Sequence, residues 1–373
     1  MTRAPVHPRD DLQADFLAMR EQPPTEVITR LVDFLHGAER SLAMAVYDFR
    51  LSDPLKAVLT TALRERANAG VTIRIAYDAD KPEPPRLEAG MDPAPSGTGA
   101  FVQALGYPWR RISGLKLMHH KYIVRDVGLP SAAVWTGSTN FTDDAWTLQE
   151  NNIVQLKAPA LAAMYTRDFD DLWSTGEIGN SGAFDPDPVQ LTYAGAPATV
   201  QVLFSPGRGP AIDFDVAQCV AQARRRVRIC SMLLNSSALL SALSDVLRCC
   251  RPAVDVSGIY DQTQMQSVLE QWRGVRHNHW KIGAVQDIVA DARLVGKHST
   301  PYSPHTPHDF MHNKVLVVDN TVITGSYNFS RSAELNAENI LLIDSPALAE
   351  AYSAYIDHLM AKYQHDSVGE VGV

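Results

Sequence analysis

The chain repeats part of its own sequence, and this repetition constrains its fold more than any other feature. The segment Gly-Ser-Thr-Asn-Phe at residues 137–141 recurs as Gly-Ser-Tyr-Asn-Phe at residues 325–329. Two further pairs follow at a nearly constant distance: Glu150-Asn151 with Glu338-Asn339, and Pro-Ala-Leu at residues 159–161 with the same tripeptide at 346–348. A duplication of this kind predicts two similar halves.

Alternating helical and strand-like segments precede each copy. Apolar spacing predicts a helix within residues 26–38 and a strand at 71–78 in the first half, and a helix at 211–223 and a strand at 227–233 in the second. This alternation predicts an α/β fold. The expected organisation is an N-terminal extension at residues 1–25, a first half at 26–175, a Gly- and Pro-rich linker at 176–197 and a second half at 198–373.

Composition places limits on the cellular setting and on partners. The 373 residues carry a net charge of −8, so binding to a polyanion would need a local basic patch. No signal peptide and no membrane-spanning apolar run is legible, which predicts a cytoplasmic protein. The four cysteines include the adjacent Cys249 and Cys250 and show no framework spacing, which favours free thiols in a reducing compartment.

A second shared pattern, His-x-Lys-x4-Asp, occurs once in each half. The two copies are His119, Lys121 and Asp126, and His312, Lys314 and Asp319. Each copy is followed by an apolar stretch typical of a strand, where residues i and i+2 point to the same face. We therefore expect each histidine and its lysine to project together, ahead of the Gly-Ser-x-Asn segment.

This set of residues suits the cleavage of a phosphodiester. One histidine can attack phosphorus to give a covalent intermediate, while the other protonates the leaving oxygen and then activates water. The two lysines, with Asn140 and Asn328, can hold the non-bridging oxygens as charge develops. A carboxylate bonded to each imidazole would fix its tautomer. The scheme requires no metal or other cofactor.

The paired motifs resemble those of the phospholipase D superfamily over about residues 26–364. The resemblance implies two similar phospholipase D-like α/β/α halves related by a pseudo-twofold axis. It also implies one active site at their interface and a phosphohistidine mechanism. By family analogy His119 is the nucleophile and His312 the acid, although the residues alone leave this open. Asp126 and Asp319 complete the motifs and are expected among the catalytic residues. The expected supporting residues around the phosphate-contacting groups are Ser138, Ser326, Glu150 and Glu338.

A metal cluster is the competing interpretation of the histidines. His305, His308, Asp309 and His312 are closely spaced, and zinc sites use such ligands. No cysteine accompanies them, and His312 already belongs to the duplicated motif, so this interpretation is disfavoured. His120 is expected to face away from His119 as an ordinary strand residue.

The substrate is the least determined property. Basic residues interleaved with tryptophan suit a nucleic acid, whose backbone is anionic and whose bases stack. The candidate substrate-binding residues are Arg110, Arg111, Lys116, Arg273, Trp280 and Lys281. The second motif also resembles that of small bacterial endonucleases and of the mitochondrial cardiolipin hydrolase/nuclease branch. We therefore expect a nuclease acting on DNA or RNA.

The alternative is a phospholipase D-type phospholipid hydrolase or transphosphatidylase. It would need an apolar rim, for which loops such as the proline-rich residues 81–97 are the candidates. The oligomeric state is left open.

Overall fold

The computed structural model describes residues 10–79, 96–249, 253–303 and 306–364. The predicted α/β fold is confirmed, with two large mixed sheets and helices on their faces. Most of the proline-rich loop at 81–97, together with Cys250 and His305, lies outside the described residues. Across those described ranges, no helix combines the length and the apolar character needed to cross a bilayer.

The first half contains a seven-stranded sheet in the order β1-β9-β7-β6-β2-β4-β5, while β3 and β8 pair separately. Its strands are β1 (Leu12–Leu17), β2 (Ser41–Val46), β3 (Phe49–Arg50), β4 (Thr72–Asp78), β5 (Trp109–Ile112), β6 (Lys121–Arg125), β7 (Ala133–Gly137), β8 (Phe141–Thr142) and β9 (Asn151–Leu156). Its helices are α1 (Pro24–His36), α2 (Asp53–Asn68), α3 (Thr98–Ala104), α4 (Asp143–Thr147) and α5 (Pro159–Thr175).

The second half contains an eight-stranded sheet in the order β10-β11-β17-β16-β15-β12-β13-β14. Its strands are β10 (Val189–Tyr193), β11 (Ala196–Ser205), β12 (Arg226–Ser231), β13 (Asp255–Asp261), β14 (Arg293–Lys297), β15 (Lys314–Val318), β16 (Thr321–Gly325) and β17 (Glu338–Asp344). Its helices are α6 (Gly209–Ala221), α7 (Ser237–Cys249), α8 (Gln262–Arg273), α9 (His279–Asp291) and α10 (Pro346–Tyr363), with a 3-10 turn at Arg276–Asn278.

Two segments that the sequence placed outside the halves form strands of the sheets. Strand β1, within the expected N-terminal extension, pairs antiparallel with β9 just as β11 pairs with β17. Strand β10 and the start of β11 lie within the expected linker. Strand β1 escaped detection because it is buried on both faces and so lacks the alternation that marks a half-exposed strand.

The two halves share a central apolar layer. Residues of both sheets pack there with α5 and α10, whereas α1 and α2 cover the outer face of the first sheet and α6, α7 and α9 that of the second. Strand β6 shows the alternation, because Tyr122 and Val124 face the central layer and Ile123 faces outward. This layering brings the beginnings of β6 and β15 to the same place between the sheets.

Candidate active site

The two motif histidines line one cavity of about 270 Å³ at the junction of the halves. They immediately precede β6 and β15, and only 5% of His119 and 6% of His312 is exposed. Each backbone N–H donates to the opposite half, from His119 to the carbonyl of Ala337 at 2.8 Å and from His312 to that of Glu150 at 3.1 Å. The predicted meeting of the two motifs is therefore observed.

The imidazole of His119 is paired with a buried carboxylate of the second half. Its Nδ1 lies 2.7 Å from Oε2 of Glu338. The amide of Asn336 donates to Oε1 of the same carboxylate at 3.1 Å. Burial raises the pKa of Glu338 to about 7. Because Nδ1 is occupied, Nε2 is the ring nitrogen of His119 left for chemistry.

The imidazole of His312 is paired with an amide instead. Its Nδ1 lies 3.0 Å from Oδ1 of Asn151. The Nδ2 group of Asn151 donates to the carbonyl of Ala145 at 3.0 Å and to Oε1 of Gln149 at 3.1 Å, which fixes the orientation of the amide. Ser138 donates its hydroxyl to Oδ1 at 2.7 Å. Nδ1 of His312 must therefore carry a proton, and Nε2 is left for chemistry.

The backbone contacts of the histidines show which residues of the two halves correspond. Since the N–H of His119 bonds to Ala337 and that of His312 bonds to Glu150, the position of Glu150 is equivalent to that of Ala337. The repeated Glu-Asn dipeptides are thus displaced by one residue in the structure. This displacement agrees with the matching of Gly137 to Ile153 and of Gly325 to Ile340 in the two sheets.

Asn151, not Glu150, is the structural equivalent of Glu338. The first copy has one more residue between the shared Asn-Phe pair and its last strand, and a shift of one residue turns a strand side chain to the other face. Glu150 was expected to support the site, but its side chain makes a different contact. The carboxylate of Glu150 points away from the cavity and pairs with Lys297.

The motif lysines are buried beside their histidines. Nζ of Lys121 donates to the carbonyl of His119 at 2.7 Å, and Nζ of Lys314 donates to that of His312 at 2.5 Å. Burial lowers the pKa of Lys121 to about 7, and burial followed by the charge of Lys121 lowers the pKa of Lys314 well below its usual value. Burial and then the two lysines also lower the pKa of His119 and of His312. An anion entering the cavity would relieve these positive charges.

Asn140 and Asn328 line the cavity as a symmetric pair. The Oδ1 atom of each is buried without a hydrogen-bond partner among the described residues. Buried amides normally have their hydrogen bonds satisfied. Two under-bonded amides beside the histidines therefore mark a place for a polar ligand. The donors that can bind phosphate oxygens, the role the sequence predicts, are the Nδ2 groups of these amides.

The motif aspartates are separated from this chemistry. Each follows the far end of its strand, where Asp126 accepts the backbone N–H groups of residues 39–41 and Asp319 those of residues 224–226. Both adopt positive φ, at 57° and 52°. Their assignment to catalysis does not fit these positions, because they cap the loop that enters the neighbouring strand.

One side of the cavity mouth is apolar. Leu117 and Met232 line the cavity, and Leu115 and Leu335 are 51% and 43% exposed. The segments carrying the leucines run side by side, since the backbone N–H of Leu117 donates to Oδ1 of Asn336 at 3.1 Å. We call Leu115, Leu117, Met232 and Leu335 the apolar lip.

The other side of the mouth is aromatic. His308 stacks on Phe310 with ring centroids 5.2 Å apart and is tilted against Tyr302 at 5.3 Å, and the rings of Tyr302 and Phe310 are 6.3 Å apart. We call this cluster of three rings the aromatic stack. Tyr47 approaches the ring of His119 edge-on at 4.6 Å. Tyr302 is 56% exposed, so its ring is available to a bound molecule.

The predicted basic residues of the first half lie on or near the edge strand β5. Arg110 donates to the carbonyl of Ser174 at 3.2 Å. Arg111 is exposed on the same strand, and Lys116 directly precedes Leu117 of the apolar lip. None of the three is among the described residues that line the cavity.

Those of the second half lie on α8 and α9. Arg273 and Trp280 are exposed, but Lys281 is 7% exposed and donates to the carbonyl of Asn235 at 3.1 Å. Its Nζ also lies 5.2 Å from the ring of Trp272. The contacts of Lys281 are those of a packed residue, and none of these three lines the cavity as described.

The residues of the alternative metal cluster have separate partners. Asp309 accepts from the backbone and hydroxyl of Thr300, and His308 bonds to the carbonyl of Ser303. His120 is fully buried on the opposite face of β6 from the cavity, 3.1 Å from Asp168, and so faces away from His119 as expected.

Sequence reasoning missed Asn151 as the partner of His312. It also missed Gln149 and Asn336, which orient Asn151 and Glu338. Gln149 and Asn336 each stand two residues before the group that they support. Because residues i and i+2 of a strand face the same side, this spacing identifies such supporting residues once the strand register is known. The aromatic stack gave no motif, because its members are brought together by a long irregular segment.

Comparisons with known proteins agree with the duplication. The family model described as "Cardiolipin synthase, PLD-like domain" matches residues 31–173 and again residues 216–360. The mitochondrial cardiolipin hydrolase of Chlamydomonas reinhardtii is 32% identical over 146 residues, which are 39% of this chain and 57% of that protein. The phospholipase D of Rickettsia prowazekii is 56% identical over 43 residues, 11% of this chain and 21% of that protein. The chain thus spans little more than half of the first relative's length.

A solved structure shares the fold over nearly the whole chain. The phosphatidylserine synthase of Haemophilus influenzae Rd KW20 superposes with a TM-score of 0.63 at 13% identity, covering 94% of this chain and 86% of that one. At this identity the likeness concerns the fold alone. It extends over both halves of the chain.

Proposed function

Because this chain belongs to the family of cardiolipin synthase, PLD-like domains, whose model matches both of its halves, we propose that it is a metal-independent phosphodiesterase that acts through a phosphohistidine. One observation carries the proposal. His119 and His312 line the same cavity, and the Nδ1 atom of each is held by a side chain of the opposite half. The two Nε2 atoms are thereby left to a substrate between them.

His119 is the nucleophile in this proposal. When its Nε2 bonds to phosphorus, the ring becomes positively charged, and the carboxylate of Glu338 at Nδ1 can compensate that charge. The amide of Asn151 beside His312 only accepts a hydrogen bond. An imidazolium without a carboxylate releases its proton more readily, which suits His312 to the role of general acid.

The reaction has two steps. Nε2 of His119 attacks phosphorus, the bond from phosphorus to the leaving oxygen breaks, and that oxygen takes the proton of His312. His312 then removes a proton from water, whose oxygen attacks phosphorus and breaks the P–N bond. Lys121, Lys314 and the two cavity asparagines would stabilise the non-bridging oxygens in both steps.

The residues at the mouth of the cavity favour a phospholipid as the substrate. The apolar lip offers contact to acyl chains beside the reacting phosphate, and no arginine lines the cavity among the described residues. Two relatives are named cardiolipin hydrolase and phospholipase D. The net charge of −8 also disfavours binding to a long polyanion without a basic groove.

A nucleic acid, the substrate that the sequence favoured, is the second candidate. The stack of Tyr302, His308 and Phe310 presents an exposed ring beside the site, and bases stack on such rings. A single exposed platform suits a single strand better than a duplex.

The test is to incubate the protein with vesicles containing cardiolipin, phosphatidylglycerol or phosphatidylcholine, and separately with labelled single- and double-stranded DNA and RNA, in excess EDTA. His119→Ala and His312→Ala are run alongside. Release of phosphatidic acid that both variants lose is expected. Cleavage of nucleic acid alone would select the second candidate, and turnover of none of these substrates by a folded protein would overturn the proposal.

A further inference from the structure

We infer that the buried ion pair between Lys297 and Glu150 positions His312, and that Lys297 is therefore a positioning residue for proton transfer. The inference rests on the proposed function, in which His312 is the general acid and then the general base. Neither Lys297 nor Glu150 lines the cavity among the described residues. The pair therefore acts through the backbone that it holds.

The peptide groups around Glu150 hold the chain that carries His312. The N–H of Glu150 donates to the carbonyl of Phe310 at 3.4 Å, and its own carbonyl accepts the N–H of His312 at 3.1 Å. The next residue, Asn151, holds the imidazole itself. A displacement of this short segment would thus move both the backbone and the ring of His312.

The carboxylate of Glu150 is anchored by three distant parts of the chain. It is fully buried and lies 2.5 Å from Nζ of Lys297, which is 2% exposed. It also accepts the hydroxyl of Tyr363 from the last helix and the backbone N–H of Met19 from the first strand's end. Loss of Lys297 would leave this carboxylate without its countercharge in a buried place, which favours movement toward solvent or protonation.

The equivalent position on the other side of the pseudo-twofold has no such anchor. Ala337 accepts the N–H of His119 with no charged side chain of its own. The segment between β14 and β15, residues 298–313, is longer than its equivalent between β5 and β6, residues 113–120. Lys297 stands at the start of the longer segment and His312 near its end. A longer segment constrains the position of its end less than a short one does. The ion pair therefore fixes the end that carries His312.

The test separates the two chemical steps with bis(4-nitrophenyl) phosphate. Expulsion of 4-nitrophenolate in the first step needs little help from an acid, whereas hydrolysis of the phosphohistidine needs His312 to activate water. In Lys297→Met we expect the initial burst of 4-nitrophenolate to keep its rate within about twofold, and the steady-state rate to fall about tenfold. Equal losses in both phases, or no loss in either, would overturn the inference.

A double variant examines the charge. Lys297→Met/Glu150→Gln keeps a side chain that can bond to Tyr363 and Met19 but removes the uncompensated carboxylate. It should regain at least half of the steady-state rate. If it stays as slow as Lys297→Met, the loss comes from altered packing and the inference fails.

Arg30→Met is the matched control. It removes an ion pair of 3.3 Å with Asp15, whose side chain is also poorly exposed, and a second one of 3.6 Å with Glu26. We expect both phases to be unchanged.

A readout independent of turnover keeps this inference apart from the proposed function. The imidazole N–H resonance of His312, assigned by its absence in His312→Ala, should shift in Lys297→Met and not in Arg30→Met. If the wild type shows no burst, the proposed function fails, while the resonance still reports on the ion pair. An unshifted resonance in Lys297→Met would overturn the inference by itself.

Discussion

Asn151 occupies in the first half the position that Glu338 occupies in the second. One imidazole of the site is consequently paired with an amide oxygen and the other with a carboxylate. Only the carboxylate can compensate a positive charge, so the two histidines have different chemical capacities.

The first prediction concerns this difference. Glu338→Gln should slow the burst of 4-nitrophenolate by about 100-fold, because the phosphorylated ring of His119 loses its countercharge. Asn151→Ala should leave the burst nearly intact and slow the steady state instead. Stopped-flow absorbance measures both phases. A burst that depends on Asn151 more than on Glu338 would assign the nucleophile to His312.

The second prediction concerns the covalent intermediate. His312→Ala, mixed with bis(4-nitrophenyl) phosphate and quenched in base, should accumulate a 4-nitrophenyl phosphoryl group on His119, because one 4-nitrophenolate leaves and hydrolysis of the P–N bond lacks a general base. Peptide mass spectrometry locates the group. His119→Ala is the control and should carry none; a modified His312 in that variant would contradict the assignment.

The third prediction concerns pH. The pKa of Lys121 is lowered to about 7, so above this pH the lysine loses the proton with which it binds an anion. The pKa of Glu338 is raised to about 7, so below this pH the carboxylate becomes neutral. His312, the general acid, must also be protonated, and its lowered pKa adds the loss of that proton to the basic limb. The kcat/KM profile should therefore be a bell with its maximum at or below pH 7, since kcat/KM reports the free enzyme. In Glu338→Gln the acidic limb should disappear; its persistence would assign that limb to another group.

The fourth prediction concerns the stability of the site. Lys121→Met should abolish activity yet raise the free energy of unfolding by about 1–2 kcal/mol at pH 7, because a buried amine is replaced by an apolar side chain. The unfolded lysine binds a proton up to its ordinary pKa of 10.5, whereas the folded one loses it near 7. Wild-type stability therefore rises with pH across this window, and the advantage of the variant should shrink. Urea unfolding at pH 7 and pH 9 measures the difference; a destabilised variant at pH 7 would refute it.

The fifth prediction concerns the motif aspartates. Although burial alone would raise it, the backbone N–H bonds from residues 224–226 hold the pKa of Asp319 below its usual value. Asp319→Ala should lower the free energy of unfolding by about 2 kcal/mol, through lost hydrogen bonds and a strained positive φ, with kcat retained. Asp319→Asn, which keeps one acceptor and tolerates that φ, should lose less. A large fall in kcat for Asp319→Asn at full stability would restore the aspartate to the chemistry.

The duplicated motif was enough to predict the fold class and the meeting of His119 with His312. It was insufficient for their partners, because matching the Glu-Asn dipeptides by identity gave a register wrong by one residue. In a strand, such a shift exchanges a side chain that faces the cavity with one that faces away. Asn151 is the side chain that faces the cavity, and Glu150 is the one that faces away.

The basic residues show a second limit of sequence reasoning. A run of charges in a sequence reveals neither how exposed the side chains are nor how far they lie from the site. Lys281, for example, is buried and donates to the carbonyl of Asn235 instead of facing a groove. The apolar lip, in contrast, combines residues from three segments that are far apart in the chain. No local pattern could have joined them.

The correspondence of Asn151 with Glu338 has a bearing on why such a site would be carried by one chain. In a symmetric dimer of identical subunits, every substitution appears on both sides of the axis, so neither imidazole could receive an amide without the other receiving it too. Two copies within one chain are free of this constraint, because the two equivalent positions can be substituted independently. A duplication within one chain thus permits the two histidines to have different partners and different roles, which identical subunits could not provide.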